Sequence, residues 1–157
     1  MDLGITSGTT PTTFSPYDSC TRAQAVTFLW RAAHEPEPMS SKNPFKDVSS
    51  SEYYYKAVLW AVEQGITKGI TEDQFGPNQT CNRAQIVTFL HRFRGEPGIG
   101  GTVSFTDVHE GDYFYGAVLW ALADKITNGT TSTTFSPGDN CTRGQIVTFL
   151  FRTLTVG

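Results

Sequence analysis

The sequence predicts a mainly α protein built from helix-loop-helix repeats. Three observations carry this: a set of motifs that recurs at offsets of 61 and 60 residues, apolar residues at helical spacing within each copy, and Gly-, Thr- and Pro-rich connections between them. Gly4-Ile5-Thr6-Ser7-Gly8 returns as Gly65-Ile66-Thr67-Lys68-Gly69 and as Lys125-Ile126-Thr127-Asn128-Gly129. The register holds through Phe14-Ser15-Pro16, Phe75-Gly76-Pro77 and Phe135-Ser136-Pro137. It continues into Cys20-Thr21-Arg22-Ala23-Gln24, Cys81-Asn82-Arg83-Ala84-Gln85 and Cys141-Thr142-Arg143-Gly144-Gln145.

An upstream block, Phe45-Lys46-Asp47-Val48 through Ala57-Val58-Leu59-Trp60-Ala61, recurs as Phe105-Thr106-Asp107-Val108 through Ala117-Val118-Leu119-Trp120-Ala121 and is missing from the first copy. The chain therefore divides into a partial repeat over 1–38, holding the second half only, and full repeats over 39–98 and 99–157. Together they are expected to form one compact domain.

The first helix of each full repeat is expected from about Glu52 to Gln64 and from about Asp112 to Asp124, where apolar residues recur at helical spacing with Gly116 as the one internal glycine. Gly65 suits the left-handed position that ends a helix, and Lys125 takes that place in the last repeat at a cost of about 1 kcal/mol. The second helices carry the stripe Ala25, Val26, Phe28, Leu29, repeated as Ile86, Val87, Phe89, Leu90 and as Ile146, Val147, Phe149, Leu150. Between the two helices run about sixteen residues, a length that calls for order through packing of their own Phe and Pro residues. Glu35-Pro36-Glu37-Pro38 and Gly95-Glu96-Pro97-Gly98 read as linkers.

Composition narrows the function. A net charge of −3 leaves no cationic footprint for duplex DNA, so no nucleic-acid partner is expected. No run reaches the ~20 apolar residues of a membrane helix, so membrane insertion is not expected either. Met1-Asp2-Leu3-Gly4 lacks the basic and apolar regions of a signal peptide, so any export signal would lie outside this chain. The three cysteines are too few and too odd for a disulfide framework.

Thr21 with Gln24, Asn82 with Gln85 and Thr142 with Gln145 form the capping-box pattern at the start of each second helix. Each cysteine precedes the cap, and Ala25, Ile86 or Ile146 lies four residues beyond it, so the pair reads as a hydrophobic staple. A Cys₃ metal site and a reactive thiol are the sharper alternatives, but a metal usually needs four ligands and no His or further Cys repeats in register, so the staple stands ahead; no metal or other cofactor is expected. His34, His91 and His109 hold unrelated positions.

Arg22, Arg83 and Arg143 stand at the first helical position, against the helix dipole. Two readings remain open. A guanidinium beside free backbone amides makes an anion site, best suited to a carboxylate; alternatively each arginine pairs with an acid such as Asp47 or Asp107. Arg31, Arg92 and Arg152, in the last turn, complement the dipole and read as structural. Trp60 and Trp120 could stack on a sugar at a groove edge, or fill the core beside Ala57, Val58 and Ala61.

The ordered set Phe-x-Asp-Val, Ala-Val-x-Trp-Ala, Gly-Ile-Thr-x-Gly, Phe-x-Pro and Thr-Arg-Ala-Gln resembles the S-layer homology domain over nearly the whole chain. The resemblance implies a pseudo-threefold assembly with one helix of each repeat in a central bundle and binding grooves between neighbours. It also implies a noncovalent anchor, without catalysis, that binds an acidic, often pyruvate-bearing secondary cell-wall polysaccharide on the Gram-positive cell surface. Carried over, the ligand role falls on Arg22, Arg83 and Arg143, with Gln24, Gln85, Gln145, Asp47, Asp107, Trp60 and Trp120 as further candidates. Gln replaces the usual Glu of that motif, which keeps the capping geometry and removes a negative charge.

The missing first helix predicts an apolar gap around Val58, Trp60, Val62, Val118, Trp120 and Leu122. Self-association, a partner helix, or a core rearranged around the second helices would close it. The rival function is accordingly a protein-interaction module that kept the fold without the glycan.

Overall fold

The computed structural model describes residues 4–156; Met1–Leu3, where no signal-peptide character is expected, lies outside the described residues. Five helices follow in order: α1 (Arg22–Ala32), α2 (Tyr55–Glu63), α3 (Arg83–Phe93), α4 (Tyr115–Ala123) and α5 (Arg143–Thr155). Extended pairing among the described residues is limited to isolated bridges. No described helix is long and apolar enough to cross a membrane.

The helices α1, α3 and α5 start at full capping boxes, in which Thr21, Asn82 or Thr142 accepts from the N3 amide and the N3 glutamine returns to the cap amide. By contrast α2 and α4 start three residues later than their periodicity predicts. Tyr54 and Phe114 offer no side-chain cap, and the preceding residues wind as turns, with Glu52 N–H donating to Ser49 O at 3.1 Å and Tyr55 N–H to Glu52 O at 3.1 Å. At the far end, Gly65 and Lys125 both take the left-handed conformation, at φ 68° and 57°.

The centre belongs to α1, α3 and α5, which touch one another in all three pairings, while α2 packs on α1 and α4 on α3 without meeting each other. This corrects the expectation that the helices near Glu52–Gln64 and Asp112–Asp124 form a central bundle left open by a missing third. The reason lies in the backbone just before the capping boxes. Cys20 N–H donates to Cys141 O (2.8 Å), Cys81 N–H to Cys20 O (2.9 Å) and Cys141 N–H to Cys81 O (2.9 Å), a closed ring of three hydrogen bonds. That ring gathers the starts of the second helices, which are present in all three repeats. Of the three ways of closing the apolar gap, a core arranged around the second helices is the one seen: Val58, Trp60, Val118 and Trp120 are at most 6% exposed, and Val62 and Leu122 are half-buried.

The outer face of α5 is less covered than those of α1 and α3. Phe151 is 55% exposed, whereas Trp30 and His91, its register mates on α1 and α3, are half-buried. Val147 is half-buried where Val26 and Val87 are sealed, and Thr148 is exposed where Thr27 and Thr88 are buried.

The long connections are ordered as expected. Phe75 and Phe135 are fully buried, against Phe45 and Phe105 at ring separations of 5.6 and 6.0 Å. Phe14, which has no such partner in the partial repeat, is half-buried. Each connection turns at Gly8, Gly69 or Gly129, at φ between 84° and 87°; a Cβ on Gly69 would stand 2.6 Å from the Phe45 ring and 2.8 Å from Gln74 O.

Candidate functional site

Each first-turn arginine reaches out of its own repeat into the next. Arg22 donates Nε–H to Phe75 O at 2.8 Å, Arg83 to Phe135 O at 2.8 Å, and Arg143, closing the circle, to Phe14 O at 3.0 Å. Each guanidinium also lies between two phenylalanine rings of that next repeat. For Arg22 these are Phe75 at 4.8 Å and Phe89 at 5.8 Å, for Arg83 Phe135 and Phe149, and for Arg143 Phe14 and Phe28. All three are at most 5% exposed, and burial pulls the Arg22 and Arg83 guanidinium groups below their usual range. A cation held on two aromatic faces and one carbonyl is a strong inter-repeat pin.

The Asp pairing considered for these arginines is not made. Asp47 instead accepts two backbone hydrogen bonds, from Phe75 N–H and Gly76 N–H, both at 2.8 Å, and Asp107 does the same for Phe135 and Ser136. The free helix-end amides of the anion-site reading are also occupied. Arg22 N–H donates to Gln79 O and Ala23 N–H to Pro77 O, at 2.8 and 3.0 Å, and α3 and α5 are capped likewise by loop carbonyls of the adjoining repeat. Arg22 Nη2 donates to Thr67 Oγ1 at 3.1 Å, whereas Nη2 of Arg83 and of Arg143 is buried without a hydrogen-bond partner.

Two grooves of matching construction lie between repeats. One, of about 410 Å³, has Arg143 in its wall, Thr6, Ser7 and Gly8 along one rim, and Gln24, Thr27 and Arg31 of α1 along its floor. The other, of about 370 Å³, repeats this with Arg22, then Thr67, Lys68 and Gly69, then Gln85, Thr88 and Arg92 of α3. Tyr53 stands over the first and Tyr113 over the second. Both grooves are of a size for a small ligand and mix hydroxyls, cations and an aromatic face. Partial burial pushes the Tyr53 phenol up, and the positive charges of Arg31 and Arg143 pull it back.

Of the residues singled out from sequence, the structure brings Arg143 with Gln24, and Arg22 with Gln85, into these grooves. Trp60 and Trp120 are in the core, Trp60 edge-on to Phe93 and Trp120 against His91, so the packing alternative describes them. Arg31, Arg92 and Arg152 brace the chain at Ile5 O, Ile66 O and Ile126 O, and the first two also line the grooves. That second role, and those of Tyr53 and Tyr113, escape sequence reasoning; the only available signal is that Tyr53 and Tyr113 share a register position outside the apolar stripe. The cysteines are free, buried thiols within the core that also holds Ala25, Ile86 and Ile146. Burial pushes Cys81 and Cys141 up to about 12, and Cys20 further in the same direction.

The family model of the S-layer homology domain matches residues 2–26, 44–87 and 104–147. Among curated proteins, the chain is 32% identical over 149 residues to an endoglucanase of Bacillus sp. (strain KSM-635), covering 90% of this chain and 15% of that protein. It is 28% identical to the surface-layer 125 kDa protein of Lysinibacillus sphaericus, over 98% of this chain and 13% of that protein. It is 27% identical to a cell surface protein of Thermoanaerobacter kivui, over 73% of this chain and 16% of that protein. The chain thus spans less than a fifth of the length of each of these relatives.

Proposed function

The chain belongs to the S-layer homology domain family, and we propose that it anchors a protein noncovalently at the Gram-positive cell surface by gripping an acidic cell-wall polysaccharide in the grooves between its repeats. S-layer homology domains are anchoring modules without a catalytic step. Their role fits the relatives: the region shared by a protein named endoglucanase and by a surface-layer protein is a small fraction of each, and hydrolysis is not what the two names have in common.

The observation that carries the reading is the groove built twice over. A Thr-x-Gly rim, the Gln, Thr and Arg of a capped helix, and an arginine from the adjoining repeat recur together at Arg143 and at Arg22. Hydroxyls and guanidinium groups converging beside an aromatic ring suit a saccharide carrying a carboxylate, such as a pyruvate ketal. The uncovered face of α5 around Phe151 favours a second reading, docking of a protein on that face.

Cosedimentation with purified sacculi tests the first reading. The chain is expected to pellet with native sacculi and to stay in solution with sacculi stripped of their secondary polysaccharide by acid. Equal pelleting on both would overturn it.

A further inference from the structure

Two straps join the repeats, one from the end of α1 to Phe45 and one from the end of α3 to Phe105, and they are held differently. The first is pinned along its length. Trp30 Nε1–H donates to Pro36 O at 2.8 Å, Lys56 pairs with Glu37 at 2.6 Å, and the Glu63 carboxylate accepts the Met39 and Ser40 amides at 3.0 and 2.7 Å. On α4 the register mates of Lys56 and Glu63 are Gly116 and Ala123, which have no group to pin with. The second strap keeps a contact between His91 Nε2 and Pro97 O at 3.0 Å and a bond from Val103 N–H to the Tyr115 hydroxyl at 3.2 Å. Between these two points Gly98, Ile99, Gly100, Gly101 and Thr102 make no hydrogen bond among the described residues. A Cβ on Gly98 or Gly100 would meet nothing within 4 Å. An endopeptidase takes its substrate as an extended strand, so it cuts where the backbone leaves its native contacts at little cost, and this glycine-rich stretch has few to leave.

We propose that this strap is a processing site, nicked at the Ile99–Gly100 bond by an endopeptidase that accepts an aliphatic side chain, and that the nicked molecule stays one folded body. Water is the co-reactant: its oxygen joins the Ile99 carbonyl carbon, the C–N bond breaks, and the nitrogen takes a proton to become the amino group of Gly100. The contacts that hold the two pieces together do not run through the strap. Cys20 N–H donates to Cys141 O and Cys141 N–H to Cys81 O, while Arg83 reaches Phe135 O and Arg143 reaches Phe14 O. In addition α4 packs on α3, and α5 on both α1 and α3. The closed circle therefore survives a cut that would sever a linear array of repeats.

Limited digestion of the 157-residue chain with subtilisin, a broad endopeptidase, tests this when read by mass spectrometry and gel filtration. Exposure alone favours cleavage after Met39, which is 88% exposed, over Ile99, which is 37% exposed. The pinning pattern reverses that order. The first products are expected to be residues 1–99 and 100–157, eluting together at the position of the uncut chain and separating in urea. Lys56→Ala with Glu63→Ala, two changes on the outside of α2, should speed cleavage after Met39 at least about tenfold. A first cut after Met39 or Tyr17 in the parent chain, or no acceleration in the double variant, would overturn the assignment of the site. Pieces that elute apart without urea would overturn the claim that the circle holds them.

Discussion

Arg22 and Asp47 hold one residue, Phe75, from its two sides without forming an ion pair with each other: Asp47 accepts the Phe75 N–H at 2.8 Å, and Arg22 donates Nε–H to the Phe75 carbonyl at 2.8 Å. The aspartate belongs to the same repeat as Phe75 and the arginine to the one before it. The Phe-x-Pro turn is thereby fixed within its own unit and welded to the neighbouring one, and Phe135 is held in the same way by Asp107 and Arg83.

Arg22→Ala should accordingly lower stability by about 2–3 kcal/mol, since it removes a charge-assisted hydrogen bond and contacts with two aromatic faces. Urea denaturation would check this. Arg22→Lys should recover little of the loss, because an ammonium cannot lie flat between Phe75 and Phe89.

Asp107→Ala strips two part-buried amides, those of Phe135 and Ser136, of their acceptor, with an expected cost of about 1–2 kcal/mol. Asp107→Asn keeps one oxygen acceptor and should fall between the two. Thermal melts of the pair, compared with the same changes at Asp47, should give matching rank orders.

The thiols set an alkaline limit. Below about pH 9 they are protonated in both folded and unfolded chains, and their burial contributes in full. Between there and about 12 the unfolded chain loses those protons while the native chain keeps them, so stability falls as pH rises, by about 1.4 kcal/mol per pH unit for each such thiol. Cys81→Val with Cys141→Val should flatten the decline measured by denaturation between pH 9 and pH 11, and native thiols should resist alkylation at pH 8 until urea unfolds the chain.

Lys125 sits at φ 57° where the equivalent Gly65 sits at φ 68°. Lys125→Gly should stabilise by up to about 1 kcal/mol. Gly129→Ala should destabilise by more than about 2 kcal/mol, because its Cβ would stand 2.5 Å from Thr134 O as well as at positive φ. A pair of melting curves suffices to compare them.

Phe151→Ser should change stability by no more than about 0.5 kcal/mol, as expected for an exposed side chain. If the α5 face drives self-association of the parent chain, sedimentation equilibrium should show the variant shifted toward monomer.

The repeats, the capping boxes and the burial of the second-helix stripe were legible in the sequence because each is a local pattern of spacing and residue type. Which helices occupy the centre was not. That depends on Cys20, Cys81 and Cys141 meeting through their backbone amides, and a backbone contact leaves no mark in side-chain identity. The same holds for the arginines: position predicted a cation at a helix start, but the carbonyls that consume the neighbouring amides come from residues such as Gln79 and Pro77, over 50 positions away. Trp60 and Tyr53 show the remaining difficulty, since both are aromatic and in register, and only the fold separates the buried ring from the exposed one.

The ring at the cysteines also fixes arithmetic. In a linear array each unit meets only the unit before and after it, so the number of units can drift as copies are gained or lost. Here the first unit is the direct neighbour of the last, through the Cys20 N–H to Cys141 O bond. A duplicated unit has no place to enter without prising that bond apart, so such a molecule changes by altering what lines its clefts or by acquiring a second complete circle, and never by growing one unit longer.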